Sequence, residues 1–170
     1  MSDLKNQLLK KIFIASDHAG FELKKILLNK LSDLPWEDLG PQNTDSVDYP
    51  DYANKVVDSL KKYYDTTDLN YNADSESEIK VQFKAQLDFA GILICGSGQG
   101  MVIRANRSAF IRAALCFNTE MAELSRAHNN ANVLCLGARM ISEPQAVETV
   151  LKFLNTSFEG GRHERRVCKL

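Results

Sequence analysis

The chain has no CxxC pair, no apolar run near the roughly 18 residues of a membrane span, and almost no net charge. Each absence excludes a class of function. A net charge of −1 provides no basic field for nucleic acid or for an anionic membrane, so neither is expected as a partner. The four cysteines, Cys95, Cys116, Cys135 and Cys168, have spacings that suit no zinc site, and no metal ligand set is expected. A disulfide framework is not expected in a chain with this much hydrophobic material. Cys116 and Cys135 lie in short apolar runs and read as small core residues. Met1–Lys11 is polar and lacks the apolar segment of a secretory signal, so a cytoplasmic protein is expected.

What is present suits one enzyme-sized domain. The 170 residues are 44% hydrophobic and 25% charged, which suits an ordinary globular chain with a real core. Apolar runs at Lys11–Ala15, Trp36–Gly40, Gly91–Cys95, Arg112–Cys116 and Val133–Leu136 read as strands. Between them lie helical patterns. Phe21 to Leu31 repeats at helical spacing, and Asp51–Tyr64 follows Pro50. A third helix begins near Met101. A fourth runs from an Asn118 or Thr119 cap to about His128. Ser142-Glu-Pro-Gln145 has the form of a capping box and opens a last helix to about Asn155. Five strand–helix alternations predict an α/β fold: a flavodoxin-like, three-layer α/β/α domain on a five-stranded parallel sheet. The expected strand order is 2-1-3-4-5, with a ligand crevice between strands one and three.

Two segments stand outside this rhythm. Asp65–Lys80 carries five acidic residues and one lysine and reads as a surface insertion, disordered in part. Ile79, Val81, Phe83 and Leu87 suggest that its end folds back onto the domain. The polar segment from Phe158 to Leu170 is expected as an extended C-terminal arm. Its Arg162-His163-Glu-Arg-Arg166 cluster suits either a solvated surface or a phosphate.

The densest chemistry lies at residues 92–100, Ile-Leu-Ile-Cys-Gly-Ser-Gly-Gln-Gly. An apolar strand runs into a thiol and then into three alternating glycines. Such a turn exposes backbone N–H groups that can cradle an anion. It is neither a dinucleotide fingerprint nor a P-loop. Backbone N–H groups beside Cys95 would favour a thiolate, and a base next to an anion cradle suits a proton transfer with an oxyanion intermediate. Asp17-His18-Ala-Gly20 follows the first strand and would meet this loop at the switch point. His128 ends a helix, where the dipole favours its charged form.

These motifs resemble the ribose-5-phosphate isomerase B family, which also contains galactose-6-phosphate isomerase subunits. The resemblance rests on Asp17-His-Ala-Gly-Phe21, Asp48-Tyr-Pro-Asp-Tyr-Ala53, Gly91–Gly100, Ser125-Arg-Ala-His-Asn129, Asn132-Val, and Glu159–Val167. It implies an aldose–ketose isomerase that needs no cofactor and acts on a phosphorylated pentose. By resemblance Cys95 is the base that moves a proton between C2 and C1. Ser97 helps move a proton between the two oxygens, and His128 opens the sugar ring. Some members carry a carboxylate a few residues after the cysteine position; here that position, 99, is Gln99. Asp17, His18, Tyr49 and Asn129 match substrate contacts, and Arg139, Arg162 and Arg166 match phosphate-binding arginines. The N–H groups of the Gly96, Gly98 and Gly100 loop would stabilise the enediolate. The resemblance further implies a homodimer or homotetramer with each site built from two subunits. Two other readings stay open at this point: an isomerase of a six-carbon aldose phosphate, and a non-catalytic phosphosugar-binding regulator.

Overall fold

The computed structural model describes residues 9–64 and 85–170. The expected insertion at 65–80 lies outside the described residues. Five strands form one parallel sheet: β1 (Lys11–Ser16), β2 (Trp36–Asp38), β3 (Phe89–Cys95), β4 (Ala113–Leu115) and β5 (Val133–Gly137). The helices among the described residues are α1 (Phe21–Lys30), α2 (Tyr49–Tyr64), α3 (Gln99–Ala105), α4 (Thr119–Asn129), α5 (Glu143–Asn155) and the short α6 (Glu164–Val167). The α/β reading and all five strands stand, with ends shifted by a few residues.

The strand order is a correction. It is β2-β1-β3-β5-β4, not 2-1-3-4-5, because β5 inserts between β3 and β4. The reason is hydrophobicity. Every residue of Val133–Gly137 is buried, whereas all three residues of Ala113–Leu115 are only half-buried. The uniformly apolar strand belongs inside the sheet, covered on both faces. The shorter strand takes the edge. Its exposed backbone is partly capped by Asn106, whose side-chain amide bonds both Ala113 N–H (2.8 Å) and Ala113 C=O (2.9 Å). That contact blunts an open sheet edge.

Strand order and crossover handedness together place the helices. The steps β1→β2 and β4→β5 run one way across the sheet, and β2→β3 and β3→β4 run the other. Right-handed crossovers then put α1 and α4 on one face and α2 and α3 on the other. The packing agrees: α5 lies against α1 and α4, while α2 lies against α3. Alternate strand residues feed two cores. Ile12, Ile14, Ile92, Ile94, Leu134 and Leu136 meet α1, α4 and α5. Phe13, Ala15, Leu93, Cys95, Val133 and Cys135 meet Ala53, Val56, Val57 and Leu60 of α2 and Met101 of α3. Each fully buried Ile or Leu contributes about 1.5–3 kcal/mol.

Two local expectations are settled at helix starts. Asn118 caps α4, accepting from Met121 N–H at 2.8 Å. The capping box at Ser142 does not form. Ser142 is the N-cap residue of α5, but its side chain accepts no cap bond. Pro144 at the second helical position has no N–H, so one of the two donors a cap uses is missing.

Candidate active site

The crevice forms where the sequence placed it, at the carboxyl ends of β1 and β3, where the chain reverses direction across the sheet. It encloses about 400 Å³. Asp17 and His18 line it from the turn after β1, Tyr49 from the start of α2, and Cys95, Gly96, Ser97 and Gly100 from the turn after β3. Arg139 enters from the turn after β5. Eight of the expected site residues therefore converge.

Cys95 ends β3 and is 4% exposed. Gly98 N–H donates to its sulfur at 3.1 Å. That bond requires the tight turn at Gly98, whose φ is +77°. A β-carbon there would lie 2.4 Å from Leu115 Cδ1 and 3.0 Å from Leu136 C, so only glycine fits. Gly98 thus supports the site from behind, buried and outside the crevice lining. At Gly100 a β-carbon would lie 2.5 Å from Tyr49 Cζ, so its absence lets the Tyr49 ring close on the loop. The Arg139 guanidinium lies over Gly96, where a β-carbon would stand 3.3 Å from Cζ. Val102 N–H is bonded to Gly98 C=O, leaving the N–H groups of Gly100 and Met101 ahead of the α3 ladder.

The other thiols are chemically distinct. Burial pushes Cys116 up to about 11, against a lowering contribution from Ser125. Burial, and then the neighbouring Cys95 and Cys116, hold Cys135 well above the ordinary thiol value. Both are core residues, as expected.

Asp17 is buried, and one of its carboxylate oxygens accepts Gly20 N–H at 2.9 Å. This fixes the turn that launches α1. His18 is exposed, with Nδ1 accepting Val47 N–H at 3.4 Å. Ser97 is exposed, and its Oγ accepts Gln99 N–H at 3.4 Å. Gln99 itself is exposed at the start of α3 and does not line the crevice.

A second group of expected residues lies elsewhere. His128 and Asn129 end α4, Arg162 precedes α6, and Arg166 lies within it. This group sits at the amino ends of the strands. Phe158 N–H bonds Ala85 C=O, ahead of β3, and Glu159 N–H bonds Ala127 C=O. The buried Arg126 ties the same region together, donating to the carbonyls of Ala85, Ala131 and Thr156 and to Asn130 Oδ1. In a single chain His128 and Cys95 therefore stand at opposite ends of the sheet.

A sequence model of the family described as Ribose/Galactose Isomerase matches residues 12–69 and 67–170. The chain belongs to this family. It is 36% identical to ribose-5-phosphate isomerase B of Escherichia coli, over 94% of this chain and 93% of the relative. It is 44% identical to a putative sugar phosphate isomerase of Rickettsia bellii, over 94% and 96%. Among solved structures, a ribose 5-phosphate isomerase from Thermotoga maritima is 46% identical with a TM-score of 0.76, covering 94% of this chain and 95% of that one. Ribose-5-phosphate isomerase B from Mycoplasma genitalium, solved with bound ribulose-5-phosphate, is 41% identical with a TM-score of 0.75, over 94% and 92%.

For this ribose/galactose isomerase family member the sequence reading missed several neighbours of the site. Ala19 and Met140 also line the crevice. His163 is buried, and its ring stacks on His128 with centroids 4.1 Å apart. Glu159 Oε2 lies 3.8 Å from His128 Nε2 and 3.6 Å from His163 Nε2. The i, i+4 spacing of Glu159 and His163 was the available signal. Burial, then the charges of His128 and Arg162, hold His163 below its ordinary value, with Glu159 opposing. These three groups bring one ligand atom each within 4.8 Å of one another. They do not fit a metal ion as they stand. The two rings are within 2° of parallel, so their in-plane lone pairs run side by side instead of converging. Arg162 Nε also donates to His163 Nε2 at 3.3 Å. The segment after α5 is polar, but Phe158, His163 and Val167 are buried and anchor it.

Proposed function

We propose that this protein interconverts ribose 5-phosphate and ribulose 5-phosphate. The observation that carries the reading is the placement of Cys95. Its thiol lines a crevice of sugar-phosphate size and receives a backbone N–H, and Arg139 lies over the adjacent Gly96 in the same crevice. The relatives named for ribose 5-phosphate support the five-carbon substrate over a six-carbon one. A non-catalytic phosphosugar binder would have no use for a thiol at that point.

The roles in this chemistry are those that the family resemblance implies, and the crevice geometry is consistent with them. His128 opens the furanose ring. Cys95 as thiolate removes the C2 proton, leaving a cis-enediolate. The loop N–H groups of Gly100 and Met101, ahead of the α3 ladder, stabilise the oxyanion, and Ser97 passes a proton between O1 and O2. The protonated Cys95 returns its proton to C1, so the enzyme ends as it began. Asp17, His18, Tyr49 and Asn129 hold the sugar. Arg139, Arg162 and Arg166 hold the phosphate, and that remote binding energy supports the chemical step.

His128, Asn129, Arg162 and Arg166 cannot reach Cys95 of their own chain from the amino end of the sheet. They complete the site of a second copy, in a homodimer or a tetramer built from such dimers. The four unpaired cysteines suit the cytoplasm. No helix among the described residues is long and apolar enough to cross a membrane.

Mixing tests both the activity and the shared site. Cys95→Ala and His128→Ala should each be inactive alone on ribose 5-phosphate. After refolding together, random pairing would restore about a quarter of wild-type activity, because half the dimers carry one intact site of two. A mixture as inactive as its parents would contradict the shared site. A wild type active only on six-carbon aldose phosphates would change the substrate.

A further inference from the structure

Among the described residues, one lysine is buried, and the proposed chemistry does not use it. Lys24 sits on the inner face of α1 and is 1% exposed. Its ammonium donates to both oxygens of Asp38 (2.6 and 2.9 Å) and to Pro41 C=O (2.7 Å). Asp38, at the end of β2, also accepts Gly40 N–H at 2.9 Å. Neither residue lines the crevice.

We propose that Lys24 and Asp38 are positioning residues of the active site, holding the turn at residues 38–41 that ties together the segments carrying Asp17, His18 and Tyr49. The connections are direct. Gly40 C=O accepts Ser16 N–H at 3.0 Å, one residue before Asp17. A β-carbon on Gly40 would stand 3.1 Å from Tyr52 Cε1, so the turn lies hard against the first turn of α2, which begins at Tyr49. The chain leaving the turn reaches Val47, whose N–H bonds His18. Two crevice walls thus depend on one turn, and the ion pair sets that turn's shape.

A purely stabilising role is the competing account. A buried ion pair is a weak source of net stability, because desolvation offsets much of the attraction. Its strength is geometric: a single ammonium with three fixed acceptors admits one arrangement of the turn. The Cys95 thiol and the Gly98 N–H that it accepts rest on β3, α3 and the turn after β5, and the other wall touches this loop through the Tyr49 ring at Gly100. The inference therefore separates sugar binding from thiol chemistry, and it rests on the isomerase reading above.

The test is Lys24→Met, which keeps the stem and removes the ammonium. Loss of substrate positioning without loss of the base should raise KM for ribose 5-phosphate about tenfold or more, with kcat within about threefold. Alkylation of Cys95 by iodoacetamide should stay within about twofold of wild type. Wild-type KM in a folded Lys24→Met protein would overturn the inference. So would a fall in activity matched by faster Cys95 alkylation, which marks general loosening. If Lys24→Met does not fold, Asp38→Asn replaces it: the same rise in KM, about threefold or more, is expected, and an unchanged KM overturns the inference. A wild type without ribose 5-phosphate turnover would sink the functional reading alone. Calorimetric affinity for ribose 5-phosphate, weaker in the variant or not, would still decide the role of Lys24.

Discussion

Replacing Gly98 with alanine should damage stability and the thiol environment together. The residue occupies the left-handed region at φ +77°, which costs an L-residue about 1–2 kcal/mol. The added methyl would also meet Leu115 Cδ1 at 2.4 Å and the backbone of Leu136 and Gly137 at 3.0 and 3.2 Å. Leu115 can turn aside, but strand backbone cannot, so overpacking adds about 1–3 kcal/mol. The total of about 2–5 kcal/mol corresponds to a loss of about 4–20 °C in Tm, at about 2–4 °C per kcal/mol for a chain of this length. Gly160 is the control. Its φ is +65°, but nothing lies within 4 Å of a β-carbon there. Gly160→Ala should cost only the conformational part, about 1–2 kcal/mol. Differential scanning calorimetry compares the two, and iodoacetamide labelling reads whether the Gly98 N–H still faces Cys95. Equal losses of Tm would refute the reasoning, because they would mean that the close approach at Gly98 carries no energy.

Further outcomes follow from the same geometry. Arg139→Ala should lower kcat/KM for ribose 5-phosphate about 10–100-fold, the loss of charge-assisted hydrogen bonds worth about 1.5–3 kcal/mol, measured by steady-state kinetics. Peptide mapping after alkylation of the native protein at pH 8 should find Cys168 modified and Cys116 and Cys135 protected. Because burial raises Cys116 from 9.0 to about 11, the unfolded chain loses this proton first as pH rises. Stability is whole below pH 9 and declines between pH 9 and 11. Urea melts should show a shallower decline in Cys116→Ala. His163, held below its ordinary 6.5, gives the opposite sign: the unfolded chain binds this proton first, so stability falls as pH drops below that value. Urea melts from pH 7.5 to 5.5 should show a smaller fall in His163→Gln.

Much of the fold was legible because the signals were local. Continuous apolar runs marked five strands, and helical spacing from Phe21 to Leu31 marked α1. The order of β4 and β5 was not read, although the cue was there: Val133–Leu136 is uniformly apolar, while the run at Arg112–Cys116 opens with a charge. Crevice residues were found where a motif followed a strand end. Met140 was missed because a methionine after a strand reads as ordinary packing. Lys24 was invisible for a physical reason: its partner Asp38 comes from the next strand, fourteen residues away, and one sequence shows no pairing at that distance. His163 was passed over because it lies in no apolar strand, yet the α4–α6 packing buries it.

The central claim is that Cys95 is the base. Ribulose 5-phosphate formation from ribose 5-phosphate by Cys95→Ala, with phosphosugar affinity measured beside it, tests this most directly. A fall in kcat of about 10²–10⁴-fold with affinity retained is the predicted result. Turnover equal to wild type would contradict it and require another base in the crevice.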